Sequence, residues 1–198
     1  MTKIFLETGK KTTSEYVFVR TLLSSMGFDK EKYDIECVDG KDNLKNASTQ
    51  MKKNTIEGGV NLIVFDADTI QNKGGFDKRK AELEQDFDNF DINAKLFLFP
   101  NNADDGDFES LLENLVQKNT HQNFFDCYGD YETCLGNLYQ SPNRKGKLHT
   151  YISAQKDLKT DQRRHLGQGE WLFDDSRFWN LEAEYLSPLI KFFKNNIN

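Results

Sequence analysis

The chain has 198 residues, 37% of them hydrophobic and 29% charged, with a formal net charge of −6. That length supports one well-cored domain with room for an appended piece, and no apolar run reaches the roughly 18 residues that a bilayer span needs. The acidic balance argues against a broad basic face that grips nucleic acid unaided, though bound cations would neutralise part of an acidic centre.

The opening Met1-Thr2-Lys3-Ile4-Phe5-Leu6-Glu7 is too short and too acidic for a signal peptide, so the cytoplasm is the expected location and no membrane partner is expected. Its apolar part, Lys3–Leu6, reads as a strand. Similar runs at Tyr33–Val38, Asn61–Phe65 and Lys95–Phe99 are bounded by Gly, Asn, Asp or Pro, as buried parallel strands are. Helical patterns lie between them. Ser14 reads as an N-cap, Val19, Leu22, Leu23 and Met26 recur at helical spacing, and Gly27 supplies a stop. Asn46–Ile56 closes on Gly58-Gly59, a third helix runs through Leu83, Phe87 and Phe90, and a fourth carries Phe108, Leu111, Leu112, Leu115 and Val116 on one face.

This alternation implies an α/β fold: a Rossmann-like parallel sheet of about four strands with helices on both faces over residues 1–120. Residues 121–198 read as a mostly helical C-terminal extension packed on that core. Within it, Asn123–Tyr139 is helical, with Cys127, Tyr131 and Cys134 on one face. Ser141–Lys147 is a loop with three positive charges, Leu148–Ala154 is strand or helix, and Ser187-Pro188 opens a last helix that turns Leu189, Ile190 and Phe193 inward. Cys37, Cys127 and Cys134 contain no CxxC pair, so zinc is not supported, and they read as buried small hydrophobes. The three histidines are scattered and read as structural or exposed.

Five carboxylates fall where a divalent cation would want them. Glu7 follows the first strand, Asp66 and Asp68 end the third, and Asp107 and Glu109 start the fourth helix. In open α/β sheets ligands bind beyond the carboxyl ends of strands, and magnesium prefers hard oxygen ligands. Strand alternation would put Asp66 and Asp68 on one side, where their mutual repulsion calls for a cation or a proton. Each feature also has a plain explanation, since aspartate is common in loops and acidic residues suit helix starts. The turn Thr8-Gly9-Lys10-Lys11-Thr12-Thr13-Ser14 lacks the P-loop pattern.

The strand-end Glu7 with its Gly-Lys turn, the later Asp66-Ala67-Asp68 and the final acidic cluster together resemble the toprim pattern of topoisomerases, bacterial primases and OLD-family nucleases. Leu96–Asn102 leading into Gly106–Glu113 is similar to a block of a toprim-like family of unknown function, related in pattern to the OLD nuclease toprim. Val38–Leu44, Lys147–Gln155, Trp171–Asp174 and Leu189–Phe193 also fit it, so the resemblance spans nearly the whole chain. One departure is Thr8, which separates Glu7 from Gly9.

The resemblance implies metal-dependent phosphodiester chemistry on nucleic acid, nuclease-like, with Mg²⁺ or Mn²⁺. Glu7 would be a ligand or general base, Asp66 and Asp68 ligands, Asp107 and Glu109 a second metal pair, and Lys147 the cation that stabilises the transition state. A separate ATPase is the protein partner it implies, because the ATPase domain of full OLD proteins is missing. The alternative is a non-catalytic toprim scaffold that binds nucleotide or nucleic acid. A weaker rival resemblance, to haloacid dehalogenase-like phosphatases, would make Asp66 a nucleophile.

Overall fold

A computed structural model describes residues 1–197. Four parallel strands, β1 (Thr2–Leu6), β2 (Tyr33–Cys37), β3 (Val60–Asp66) and β4 (Lys95–Phe99), form one sheet in the order β2-β1-β3-β4. Successive side chains of a strand leave on opposite faces, and the apolar runs divide accordingly. Ile4, Leu6, Leu62, Val64, Phe97 and Phe99 enter one core, whereas Phe5, Ile63, Phe65 and Leu98 enter another. Being covered on both faces is why β1, β3 and β4 carry continuous apolar runs, whereas β2 alternates, with Tyr33 and Ile35 in the first core and Asp34 and Glu36 part-exposed.

Helix α1 (Ser14–Ser25) covers the first face and buries Val17, Phe18, Val19, Leu22 and Leu23. Helices α2 (Leu44–Ile56) and α3 (Phe76–Phe90) cover the second with Leu44, Met51 and Leu83. Helix α4 (Phe108–Leu115) returns to the first face, where the ring of Phe108 lies 5.3 Å from Phe18 and 5.4 Å from Phe99. The chain therefore leaves β1 in one direction along the sheet and returns beyond it to β3. That places the topological switch point between the ends of β1 and β3.

The C-terminal part shares the first core. It contains helices α5 (Gln122–Leu135), α6 (Arg144–Ser153), α7 (Thr160–His165) and α8 (Ser187–Lys194). Of these, α6 supplies Leu148, Tyr151 and Ile152, α8 supplies Leu189 and Phe193, and α5 packs Phe124 and Phe125 against that core. The connecting loops add Trp171, Phe173 and Trp179. Trp179 is stitched in twice: its ring N–H donates to the Trp171 carbonyl at 2.8 Å, and its backbone bridges Val116. Thr2 Oγ1 donates to the carbonyl of Asn196, which ties the end of the chain to the first strand. No described helix is long and apolar enough to cross a membrane.

Several local expectations shift. Thr13, not Ser14, caps α1: its hydroxyl accepts the Tyr16 amide, and Ser14 is the first helical residue. The stretch Ser141–Lys147 is a loop only as far as Asn143. The Asn143 side chain accepts the Gly146 amide at 2.9 Å and starts α6, so Arg144, Lys145 and Lys147 stand on a helix and Leu148–Ser153 is helical too. Helix α5 ends at Leu135, before Tyr139, and buries Tyr128. The face with Cys127, Tyr131 and Cys134 is exposed, so those two cysteines are not core residues, and Cys37 is only partly buried. Helix α8 starts at Ser187 after a 3-10 turn, with Pro188 in its first turn.

The expected alternation at Asp66-Ala67-Asp68 fails for a clear reason. Strand β3 ends at Asp66, and Asp68 lies in the left-handed region with φ +59°. Its backbone turns away to bridge Gly106.

One buried polar residue holds the opposite end of the sheet. Asn61, 1% exposed, donates to the carbonyls of Met51 and Asn93 and to Thr55 Oγ1, and accepts from Asn54. It joins β3 to the end of α2 and to the loop before β4. Asn61→Ala would remove the four hydrogen bonds of a buried side chain, each contributing roughly 0.5–1.5 kcal/mol net and partly replaced by water on the Asn93 side. A loss of about 2 kcal/mol in urea unfolding is the expected outcome.

Candidate functional site

Glu7 leaves the end of β1 and Asp66 ends β3, so the two lie side by side at the switch point. The geometry is tight: Glu7 Oε2 accepts the backbone N–H of Asp66 at 3.1 Å. Asp66 Oδ1 in turn accepts the backbone N–H of Phe108, at the start of α4, at 2.8 Å. The first turn of α4 is thereby docked onto the end of β3. It brings Asp107 and Glu109 to the same edge of the sheet.

The environment of Asp66 is acidic. Burial pushes its carboxyl well above the usual carboxylate range, and Glu15, Glu7, Glu109 and Asp107 push it further. Glu7 is raised by burial and by Asp68, partly offset by the Asp66 amide and Arg79. Glu109 is raised by burial, with Lys145 the main opposing influence. Glu15 is raised to about 8, first by burial and then by Glu7 and Glu109. Its Oε1 is buried without a hydrogen-bond partner among the described residues.

Basic residues hold the rest of the cluster. Arg79 of α3, its side chain only 4% exposed, pairs with Asp68 and reaches Glu82 at 3.2 Å. Asp107 caps α4 by accepting the Ser110 amide at 2.7 Å and is gripped by Arg144 at 2.8 Å. Arg144 also reaches Glu113 at 2.9 Å, and Lys145 stands 3.8 Å from Glu109. Lys147 lies elsewhere: its ammonium pairs with Glu132 at 3.3 Å and sits over the Tyr128 ring. Arg144 and Lys145 thus occupy the place expected for Lys147 beside the acidic cluster. Asp105 accepts the Phe76 amide, the first of α3, at 2.7 Å.

Arg144 is part-exposed, and surface ion pairs contribute roughly 0–1 kcal/mol. Arg144→Ala is therefore expected to lower stability by about 1 kcal/mol or less in chemical unfolding, despite its two partners.

Two members of this site carry no motif. Glu15 stands four residues before Val19 and seven before Leu22, on the apolar stripe of α1. Arg79 stands four before Leu83, on the apolar stripe of α3. A charge on the buried face of an amphipathic helix is the sequence signal for both, because such a group needs a partner or a ligand inside.

The donor set fits a hard divalent cation in kind: clustered carboxylates with raised proton affinity and one unpartnered buried oxygen. It does not form a ready cage. Among the described residues no group of three or more His, Cys, Asp or Glu side chains is arranged to hold a metal ion. Asp68 and Asp107 each give one oxygen to an arginine, Oδ2 to Arg79 and Oδ1 to Arg144, which leaves the other oxygen of each for a cation.

A family described as "protein of unknown function (DUF3226)" matches residues 12–198. The chain belongs to that family. The DUF3226 match begins five residues after Glu7, so it takes in Glu15, Asp66, Asp68, Asp107 and Glu109 but not Glu7. No curated protein and no solved structure matches the chain.

Proposed function

We propose that the chain carries out metal-dependent phosphodiester chemistry on nucleic acid, nuclease-like, at the crevice between β1 and β3. The observation that carries this reading is the Asp66 carboxylate, buried at the switch point among Glu7, Glu15, Glu109 and Asp107. Like charges gathered at low exposure are relieved by a cation or by protons. The toprim resemblance adds the order of these residues along the chain: Glu7, then Asp66 and Asp68, then Asp107 and Glu109.

Glu7 and Asp66 would hold a first Mg²⁺ or Mn²⁺, with Asp107 and Glu109 on the side of a second and Asp68 in reserve behind Arg79. A divalent cation there would polarise a phosphoryl oxygen and lower the pKa of an attacking water. If Asp66 holds the cation without it, Glu7, raised by burial, is suited instead to take a proton at the oxygen not engaged by the Asp66 amide. Arg144 and Lys145, both part-exposed on the first turn of α6, are placed to offset the charge of an incoming phosphate.

Calorimetric titration with Mn²⁺ tests the reading: saturable binding is expected, and a chain that binds neither Mn²⁺ nor Mg²⁺ refutes it. One observation favours the alternative, a non-catalytic scaffold that binds nucleotide or nucleic acid. Asp68 and Asp107 are each already balanced by an arginine, which lowers their need for a cation. In that case oligonucleotides bind, but no cleavage appears at any Mn²⁺ concentration. The phosphatase reading needs Asp66 alone in a closed pocket, whereas four other carboxylates share its surroundings.

A further inference from the structure

A cavity of about 390 Å³ opens beside the acidic cluster, where α1 and α6 begin. Its volume falls in the range of roughly 300–1,000 Å³ typical of small-molecule sites. Thr12, Thr13 and Ser14 form one side, Lys145 a second, and His149 and Trp171 a third. Three features give one end of it an affinity for anions. Helices α1 and α6, of 12 and 10 residues, both start there, and helix starts carry partial positive charge. Lys145, just over half exposed, supplies a full charge. Ser14 lines the cavity while only 2% exposed, and its Oγ has no hydrogen-bond partner among the described residues. A buried hydroxyl left unpaired costs on the order of 1–3 kcal/mol, which an acceptor on a ligand would remove.

The other end is flat and apolar. The rings of His149 and Trp171 meet edge-on at 6.1 Å, and Leu166 completes the wall. Two glycines keep the space open. A Cβ on Gly169 would come within 2.3 Å of the Thr13 backbone, so the wall passes close to the start of α1. A Cβ on Gly167 would meet nothing within 4 Å, so that residue borders empty space. Lys145 also offsets the two acidic side chains beside it, Glu15 and Glu109.

We propose that this cavity seats a terminal, phosphate-bearing nucleotide, with the phosphate against Ser14 and Lys145 and the base against the His149–Trp171 wall. The proposal deepens the function above, and it rests on that reading for taking the nucleotide as the end of a nucleic acid strand. Lys145 touches both places: it lines the cavity and stands 3.8 Å from Glu109 of the acidic cluster. A strand anchored by its end in the cavity would therefore present its next linkages toward Asp66.

The test titrates nucleoside 5′-monophosphates, the matching nucleosides and inorganic phosphate into the full chain in EDTA, followed by tryptophan emission. The monophosphates are expected to bind at least about tenfold more tightly than the nucleosides, the worth of a charge-assisted contact. Lys145→Met should weaken them by a similar factor. Gly167→Leu, a bulky change at a lining position where an added Cβ meets no atom within 4 Å, should weaken binding while leaving the melting temperature in place. Equal affinity for nucleoside and nucleotide, or parent-like binding by both variants, overturns the proposal. Inorganic phosphate binding as tightly as the nucleotides also overturns it, because the aromatic wall would then contribute nothing. The assay contains no metal, so it fails separately from the function above. Nucleotide binding without any Mn²⁺ binding keeps the cavity and removes the nuclease reading, and the reverse removes the cavity alone.

Discussion

In metal-free buffer at pH 8, the Glu15→Gln variant should unfold several degrees above the parent chain, and the gap should close below about pH 4.5. The cause is the carboxyl of Glu15, buried in α1 and facing Glu7 and Glu109, with its folded value raised to about 8 from 4.5. A raised acid binds its proton more tightly folded than unfolded, so the folded state takes up protons and stability falls as pH rises. Below the unfolded value both states are protonated and the group costs nothing. The penalty grows between 4.5 and about 8 and is constant above. Glutamine mimics the protonated form and removes it. A tenfold difference in proton affinity between the folded and unfolded chain is worth about 1.4 kcal/mol. The neighbouring carboxylates share the repulsion, so about 3 kcal/mol is expected, not the full value. For a chain of this size that is roughly 6–12 °C. Saturating Mn²⁺ should stabilise the parent and shrink the gap, because a cation relieves the same repulsion. A Glu15→Gln variant less stable than the parent at pH 8 would show that the charge is not buried as described.

Glu15 also marks the limit of what the sequence shows. The strands were legible because parallel strands buried on both faces are short continuous apolar runs, and Lys95–Phe99 coincides with β4 to the residue. The ends of the helices were less so. Whether Thr13 or Ser14 caps α1 depends on which hydroxyl meets the Tyr16 amide, and both residues are good caps. The extension was harder still, because α6 has Gly146 in its first turn and His149 and Thr150 among its apolar residues, which blurs the period. At the site, Glu7 and Asp66 could be found because strand ends expose them. Asp68 was misplaced because a left-handed residue ends the alternation, and aspartate tolerates that conformation well enough to give no warning. Arg79 and Glu15 lie within amphipathic helices, where the apolar residues dominate the pattern. Their position on the buried stripe was the signal, and it is readable only once the face is assigned.

The two aspartates of Asp66-Ala67-Asp68 should not be equivalent, although a motif reading treats them alike. Asp66→Asn is expected to remove Mn²⁺ binding and to lower any Mn²⁺-dependent cleavage of an oligonucleotide by about 10³-fold or more, a loss of about 4 kcal/mol of transition-state stabilisation. Asp68→Asn is expected to cost about tenfold. The difference follows from what each carboxylate does. Asp66 lies at the centre of the acidic field, and its Oδ1 fixes the first turn of α4, on which Asp107 and Glu109 are carried. An asparagine oxygen still accepts the Phe108 amide, so the change removes the charge and leaves the fold. Asp68 already has a full partner in Arg79, and asparagine both accepts from a guanidinium and tolerates the left-handed backbone. Equal losses at the two positions would mean that Asp68 ligates the cation while sharing its carboxylate with Arg79. In that case Arg79→Met should tighten Mn²⁺ binding, since it removes the competitor for the Asp68 carboxylate. Unchanged cleavage by Asp66→Asn would place the chemistry away from the β1–β3 crevice altogether.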